Sequence, residues 1–329
     1  MQNQTAFGAA VGFSVATVFF SAPLFFKLFR RDSSKKTTTL RCLGFEMGGT
    51  TCKVATGEKT LNENGKVISV KIITKFTVKT KDDPEETVQS LIDCVMNAVY
   101  EEVGIAHFGP LELDPEKSDF GKIASTPKLR WSDFRALAVF KSKMPTRAKR
   151  TTIDTDVNAA ALAEFYLGGH KVRQSLAYIT VGTGVGVGLV IDGKPVHGLI
   201  HPEGGHTSVI PHEFDKDYKG SCKNHGKYCV EVVANNVSIA ERRGIDKEEI
   251  HTLNDDDKIW EVVGFYLGNL CANILMMTSP EVIILGGGVM QRKVIYPYVL
   301  KSFTEALNGY LVHPKLTSNL TYLFFYIET

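Results

Sequence analysis

The sequence predicts an α/β protein of two similar lobes with a cleft between them, preceded by an apolar N-terminal helix. Three observations point to this class. At 329 residues the chain exceeds one compact core and suits two domains plus a tail. Strand-like and helix-like stretches alternate in two successive series, each opening on a strand, a glycine turn and a returning strand. A hydrophobic content of 43% with 22% charged residues excludes a disordered or fibrous chain. The expected divisions are a helix and basic linker over 1–37, an N-terminal lobe over 38–156 and a C-terminal lobe over 157–329.

Residues 6–26 (AFGAAVGFSVATVFFSAPLFF) carry no charge. As a helix, these 21 residues would be about 31 Å long, close to the hydrocarbon thickness of a bilayer. Lys27, Arg30 and Arg31 follow at once, then Lys35 and Lys36, and no basic residue precedes the run. A cleaved secretory signal needs a basic leading segment, which is missing. The charge bias therefore predicts a membrane anchor with the lobes on the cytosolic side. Targeting to an organelle is the alternative. Residues 1–41 carry +5, so the remainder of a chain of formal charge +2 carries −3, and no nucleic-acid partner is expected. The six cysteines (42, 52, 94, 222, 229, 271) are scattered, which excludes a secreted disulfide framework.

In chain order, CLGFEM (42–47) reads as a strand, Gly48-Gly49-Thr50-Thr51 as a turn, and CKVATG as the returning strand. Asn64-Gly65 signals a hairpin into VISVKIITKF, which alternates with period two. Asp83-Pro84-Glu85-Glu86 opens a helix near 85–100, with proline in the first turn and acids facing the dipole. Val88, Leu91, Ile92, Val95 and Val99 keep its helical spacing. VGIAHFGPLEL reads as a buried strand running into a loop, followed by a helical stretch near 132–140. TTIDTD is a strand end, and NAAALAEFYLG is a helix. The second series begins with SLAYITV, turns at Gly182-Thr183-Gly184-Val185-Gly186, and returns as LVIDG. EVIILGG is a later strand before Gly288.

Four features carry chemistry. Either glycine turn would let backbone N–H groups approach phosphate oxygens, or is merely a tight turn. No GxxxxGK[ST] is present, and GTGVGVG lacks both the spacing and the following helix of a dinucleotide fingerprint. Asp154-Thr155-Asp156-Val157-Asn158 lies at a strand-to-helix junction, where a carboxylate either caps the helix or accepts a hydroxyl proton during phosphoryl transfer. His206, Cys222, His225 and Cys229 lie within 24 residues and make a tetrahedral zinc set of the closed, structural kind, with His201 and His212 as spare donors. Unrelated surface histidines and buried cysteines are the alternative. Glu203 and Glu231 flank that set, either as fixed acceptors for sugar hydroxyls or as solvated acids.

Taken together, these segments resemble the ROK family of sugar kinases, in its zinc-containing fructokinase branch, within the actin/hexokinase/Hsp70-like ATPases. GFEMGGTTCKVATG resembles the family's first phosphate hairpin, with Glu46 in the acidic position. FGPL (108–111) and STPKLRW (125–131) are similar to the sugar-side loop and its TPK-x-x-W segment. DTDVNAAALAE (154–164) is similar to the catalytic segment, and VGTGVGVGLVIDG to the second phosphate hairpin. HPEGGH (201–206) with C-x2-H-x3-C matches the sugar and zinc segment, and LGGGV (285–289) the adenosine-contacting glycines.

The resemblance implies two RNase H-like lobes closing on sugar and Mg·ATP, with Asp156 as general base toward the 6-hydroxyl of D-fructose. It assigns Gly109, Asn158, Glu203, His206 and Glu231 to the sugar. Gly48, Gly49, Thr50, Thr51, Lys53, Gly182, Thr183, Gly184, Gly286, Gly287 and Gly288 go to ATP, and His206, Cys222, His225 and Cys229 to a structural Zn2+. Glucose, mannose or N-acetylmannosamine is the alternative acceptor, and a non-catalytic sugar sensor the alternative role. A homodimer is among the expected partners. The chain departs from the pattern in three places. It has Val232-Val233-Ala234 where small residues follow the last zinc cysteine, it has a short loop before VGIAHFGP, and it ends LTSNLTYLFFYIET without the family's GLGD-x-AG segment.

Overall fold

A computed structural model describes residues 37–317, apart from 127, 145–147, 171, 221, 223, 224 and 227, together with 324–326. The expected anchor over 6–26 and its linker as far as 36 lie outside the described residues, and Thr37, placed in the linker by the sequence, already belongs to the first strand. The fold is mixed α/β, built on two five-stranded sheets.

The first sheet has the order β3-β2-β1-β4-β5. Strands β1 (Thr37–Met47), β2 (Thr51–Asn62) and β3 (Val67–Lys79) form an antiparallel meander, because short turns join them. Strands β4 (Glu102–His107) and β5 (Arg150–Thr155) run parallel to β1 after crossovers through helices α1 (Pro84–Asp93) and α2 (Ala136–Lys143). Covered on both faces, β1 is buried continuously from Cys42 to Phe45, where an exposed-face strand would alternate. Leu43, Phe45, Leu91, Ile105, Trp131 and Phe140 centre this core. Helix α3 (Asp156–Leu167) follows β5 directly.

Two helices differ from their sequence patterns. The first ends at Asp93, well short of 100, since the Val95 and Ala98 N–H groups bond to carbonyls three residues back and turn the chain toward β4. Val99, expected on its buried face, is exposed. The second starts at Ala136 and not near 132, because Asp133 has φ 61°, a left-handed conformation that no α-helix contains.

The second sheet has the order β10-β9-β6-β7-β8. Its strands are β6 (Ser175–Val181), β7 (Val185–Ile191), β8 (Lys194–Pro195), β9 (Val282–Gly286) and β10 (Phe324–Tyr326). Val185 and Gly186, read as part of the turn, already belong to β7. Strand β10 pairs in parallel with β9, giving the atypical C-terminal stretch a place at the sheet edge. The remaining helices are α4 (Val230–Ala234), α5 (Asn236–Arg243), α6 (Ile259–Thr278), α7 (Ile295–Leu307) and α8 (Pro314–Thr317). Helix α6 is long and apolar enough to cross a membrane, but it is mostly buried as a core helix against α7.

By contacts, the described residues up to 171 and Val190–His201 form one compact unit, and Val172–Leu189 with Pro202 onward form another. Helix α3 thus groups with the first sheet, although the sequence placed the division at 156/157.

Candidate active site

In the unit of the first sheet, the β5–α3 junction separates its two aspartates by role. Thr155, not Asp156, is the helix cap: its side chain accepts from Asn158 N at 3.1 Å. Asp156, the first residue of α3, is half-buried, and its Oδ1 accepts from Val157 N at 2.9 Å. Asp154 is buried and turned inward. Its Oδ1 accepts from Thr155 N at 2.7 Å, from Asn158 Nδ2 at 2.8 Å and from His197 Nε2 at 3.2 Å. Burial lowers the proton affinity of His197, but the bond and charge of Asp154 outweigh it, and its pKa lies above the ordinary value. No sequence pattern pointed to His197, which is 43 residues from Asp154.

The first glycine turn, Gly48–Thr50, is tied to the residue after β3: Thr80 donates from Oγ1 to Gly48 O at 2.7 Å and from N to Thr50 O at 3.0 Å. Lys53 faces Glu46 across the hairpin at 3.4 Å. Burial raises the Glu46 pKa against the pull of Lys53, and Glu46 Oε2 has no hydrogen-bond partner among the described residues. Gly109 begins a cis Gly109–Pro110 bond, and a Cβ there would lie 3.1 Å from the His201 ring. His201 Nε2 accepts from Leu111 N at 3.0 Å, so this spare zinc donor is committed elsewhere. His212 is likewise committed, its Nδ1 accepting from Phe214 N at 3.2 Å.

In the other unit, the second glycine turn (Gly182, Thr183, Gly184) closes with Gly182 N donating to Gly184 O at 2.9 Å. Glu231, in the first turn of α4, reaches this turn: its Oε2 accepts from Val185 N at 3.2 Å. The contact needs glycine at 184, where a Cβ would come within 2.6 Å of the same oxygen. His206 Nε2 is 3.8 Å from Glu231 Oε1. The short 3-10 turn Gly204–His206 lies directly on β7, since a Cβ at Gly205 would overlap Val185 O at 1.7 Å. Burial first, and then the charge of Glu231, push the Glu203 carboxyl up to about 7. Glu203, His206 and Glu231 therefore converge beside a glycine turn. Gly286 ends β9, and Gly287 follows with φ 92°, its Cα close enough to β6 that a Cβ would meet Val181 O at 2.4 Å, with Gly288 next.

His206, Cys222, His225 and Cys229 present ligand atoms that all lie within 4.8 Å of one another. Two thiols and two imidazoles are the donor chemistry of a structural zinc site. His206 Nδ1 is buried with no hydrogen-bond partner among the described residues, as a nitrogen reserved for a metal would be. The pairs Cys222↔Gly226 and Ser208↔Cys229 form isolated β-bridges that shape the loop. The donors fit the metal.

Residues 42–321 match the ROK family. The chain is 38% identical over 233 residues to a fructokinase of Zymomonas mobilis, covering 69% of this chain and 76% of that protein. It is 33% identical over 269 residues to a fructokinase of Lactococcus lactis, covering 82% and 86%. Among solved structures, a ROK glucokinase from Streptomyces griseus in complex with glucose and AMPPNP shares the fold at a TM-score of 0.62 and 23% identity, over 83% of this chain and 92% of that one.

Proposed function

The chain belongs to the ROK family, and from that premise we propose that it is an ATP-dependent hexose kinase, a fructokinase acting on the 6-hydroxyl of D-fructose. One observation carries the reading: the Glu231 carboxylate bonds to the backbone of the second glycine turn at Val185 N, with His206 and Glu203 beside it. Acceptors suited to sugar hydroxyls are thus built against a turn suited to a phosphate.

In this reading, Asp156 takes the proton from the attacking hydroxyl as its oxygen bonds to the γ-phosphorus, the bond to the β-phosphate oxygen breaks, and ADP leaves. Glu203, His206, Glu231, Asn158 and Gly109 orient the sugar. Gly48, Gly49, Thr50, Thr51 and Lys53, with Gly182, Thr183, Gly184 and Gly286–Gly288, take the nucleotide. Mg2+ arriving with ATP would neutralise phosphate charge. Zn2+, held by His206, Cys222, His225 and Cys229, would fix the loop carrying the sugar acceptors. The segment 6–26 would tether the enzyme to a membrane, kinase units in the cytosol.

A coupled ADP assay on the purified protein tests this with fructose, glucose, mannose and N-acetylmannosamine. Fructose should give the highest kcat/KM. Asp156→Asn should lower kcat by roughly two to four orders of magnitude, with thermal unfolding unchanged. Full turnover in that variant would overturn the assignment of the base.

A further inference from the structure

We propose that His197 is a positioning residue for phosphoryl transfer: paired with the buried Asp154, it fixes the turn that carries Asp156. This rests on the reading of Asp156 as general base. Asp154 is 3% exposed, and its carboxylate grips the junction on both sides of Asp156. On one side it holds the peptide N–H of Thr155 at 2.7 Å, and on the other the Asn158 side chain at 2.8 Å. Thr155 closes the loop by capping Asn158 N. Asn158 is 1% exposed, and its Oδ1 has no partner among the described residues, so the bond from Nδ2 to Asp154 fixes its amide.

A carboxylate this deeply buried needs hydrogen-bond donors on both of its oxygens. Left without one of them it would admit water, which would loosen the bonds it accepts. His197 Nε2 supplies a third donor, 3.1 Å from Asp154 Oδ2 and 3.2 Å from Oδ1. The imidazole comes from a short segment that is itself held. Lys194 and Pro195 pair with Ile191 and Val190, and four residues past His197 the His201 ring accepts from Leu111 N. The pKa of His197, held above the ordinary value by Asp154, agrees with a charge-assisted bond.

The test uses the full chain, with kcat and KM measured for His197→Ala, His197→Gln, Asp156→Asn and the double variant His197→Ala/Asp156→Asn. His197→Ala should lose at least about tenfold in kcat with KM for ATP unchanged, as expected when geometry and not nucleotide binding is disturbed. His197→Gln places an amide N–H where Nε2 stood and should recover most of that loss. On top of Asp156→Asn, His197→Ala should cost nothing further, because it acts through the same group. Independently of activity, NMR titration of the His197 ring should show its pKa falling in Asp154→Asn, with the signal assigned by its loss in His197→Gln. Wild-type kcat in His197→Ala, or an equal further loss in the Asp156→Asn background, would overturn the proposal. So would an unmoved His197 titration. A fully active Asp156→Asn would instead sink the reading of the base, a distinct result.

Discussion

His107 shows how one buried side chain ties stability to pH. Its ring is fully enclosed at the end of β4, Nδ1 bonds to Phe108 O at 2.8 Å, and the Trp131 ring packs against it, tilted, at 5.5 Å between centroids. Burial lowers its pKa from 6.5 to about 4, despite the carbonyl that favours the charged form. The folded-state pKa is thus depressed, so the neutral ring's contribution is complete above pH 6.5 and is lost as pH falls toward 4. The loss should reach about 3 kcal/mol across that window, by the linkage between proton uptake and stability. Urea unfolding from pH 7 to 4 should show the decline, and His107→Phe should flatten it. Gly184 has a different role at the same scale. In Gly184→Ala the new methyl would crowd Glu231 Oε2 and break its bond from Val185 N. Losing a charge-assisted bond costs about 1.5–3 kcal/mol of folding stability, so the melting temperature should fall by several degrees, and the displaced Glu231 should raise KM for the hexose. An unchanged KM would mean that the Glu231–turn contact does not set sugar affinity.

Among the elements, what the sequence disclosed was local pattern. The strand–glycine turn–strand units, the Asp156 junction and the Cys222–Cys229 spacing each fit within a few residues, so period and residue type were enough to find them. What escaped depends on separation. Asp154 with His197 and Val185 with Glu231 are 43 and 46 residues apart, brought together only by sheet and crossover packing. The α2 boundary escaped for a different reason, because the left-handed backbone at Asp133 leaves no mark on hydrophobic spacing. Strand β10 is three residues long and pairs with β9, which lies some forty residues earlier, so no local pattern marks it. The loop from His206 to Cys229 is the element whose order the fitted metal would govern. Small clusters such as Val232, Val233 and Tyr266 pack around Cys229, but both large cores are built elsewhere. A Cys222→Ser/Cys229→Ser variant should therefore hold no zinc by elemental analysis while keeping its far-UV circular dichroism. KM for the hexose should rise by about tenfold or more, since His206 is itself one of the ligands and Glu231 lies two residues past Cys229. Undiminished zinc would refute the site.

For the whole molecule, the formal +2 is an average over two chemically separate parts. The first 41 residues carry +5, and the rest carries −3. A kinase that binds an anionic nucleotide through glycine turns needs no basic surface, and the −3 is consistent with that. The +5 belongs beside the apolar run at 6–26, where basic residues favour the cytosolic face and anionic headgroups. Strand β1 begins at Thr37 with three exposed threonines, and burial starts only around Leu40. Because the described fold begins on an exposed strand end, deleting residues 1–36 should leave fructose-dependent kcat within about twofold. The same deletion should move the protein from the membrane pellet to the supernatant after ultracentrifugation. Release of the intact chain should need detergent and not high salt, because burial of an apolar helix is not screened by ions, whereas attraction of basic residues to headgroups is. Release by salt alone would make the tail a peripheral electrostatic contact, and pelleting of the truncated protein would place membrane attachment in the kinase units themselves.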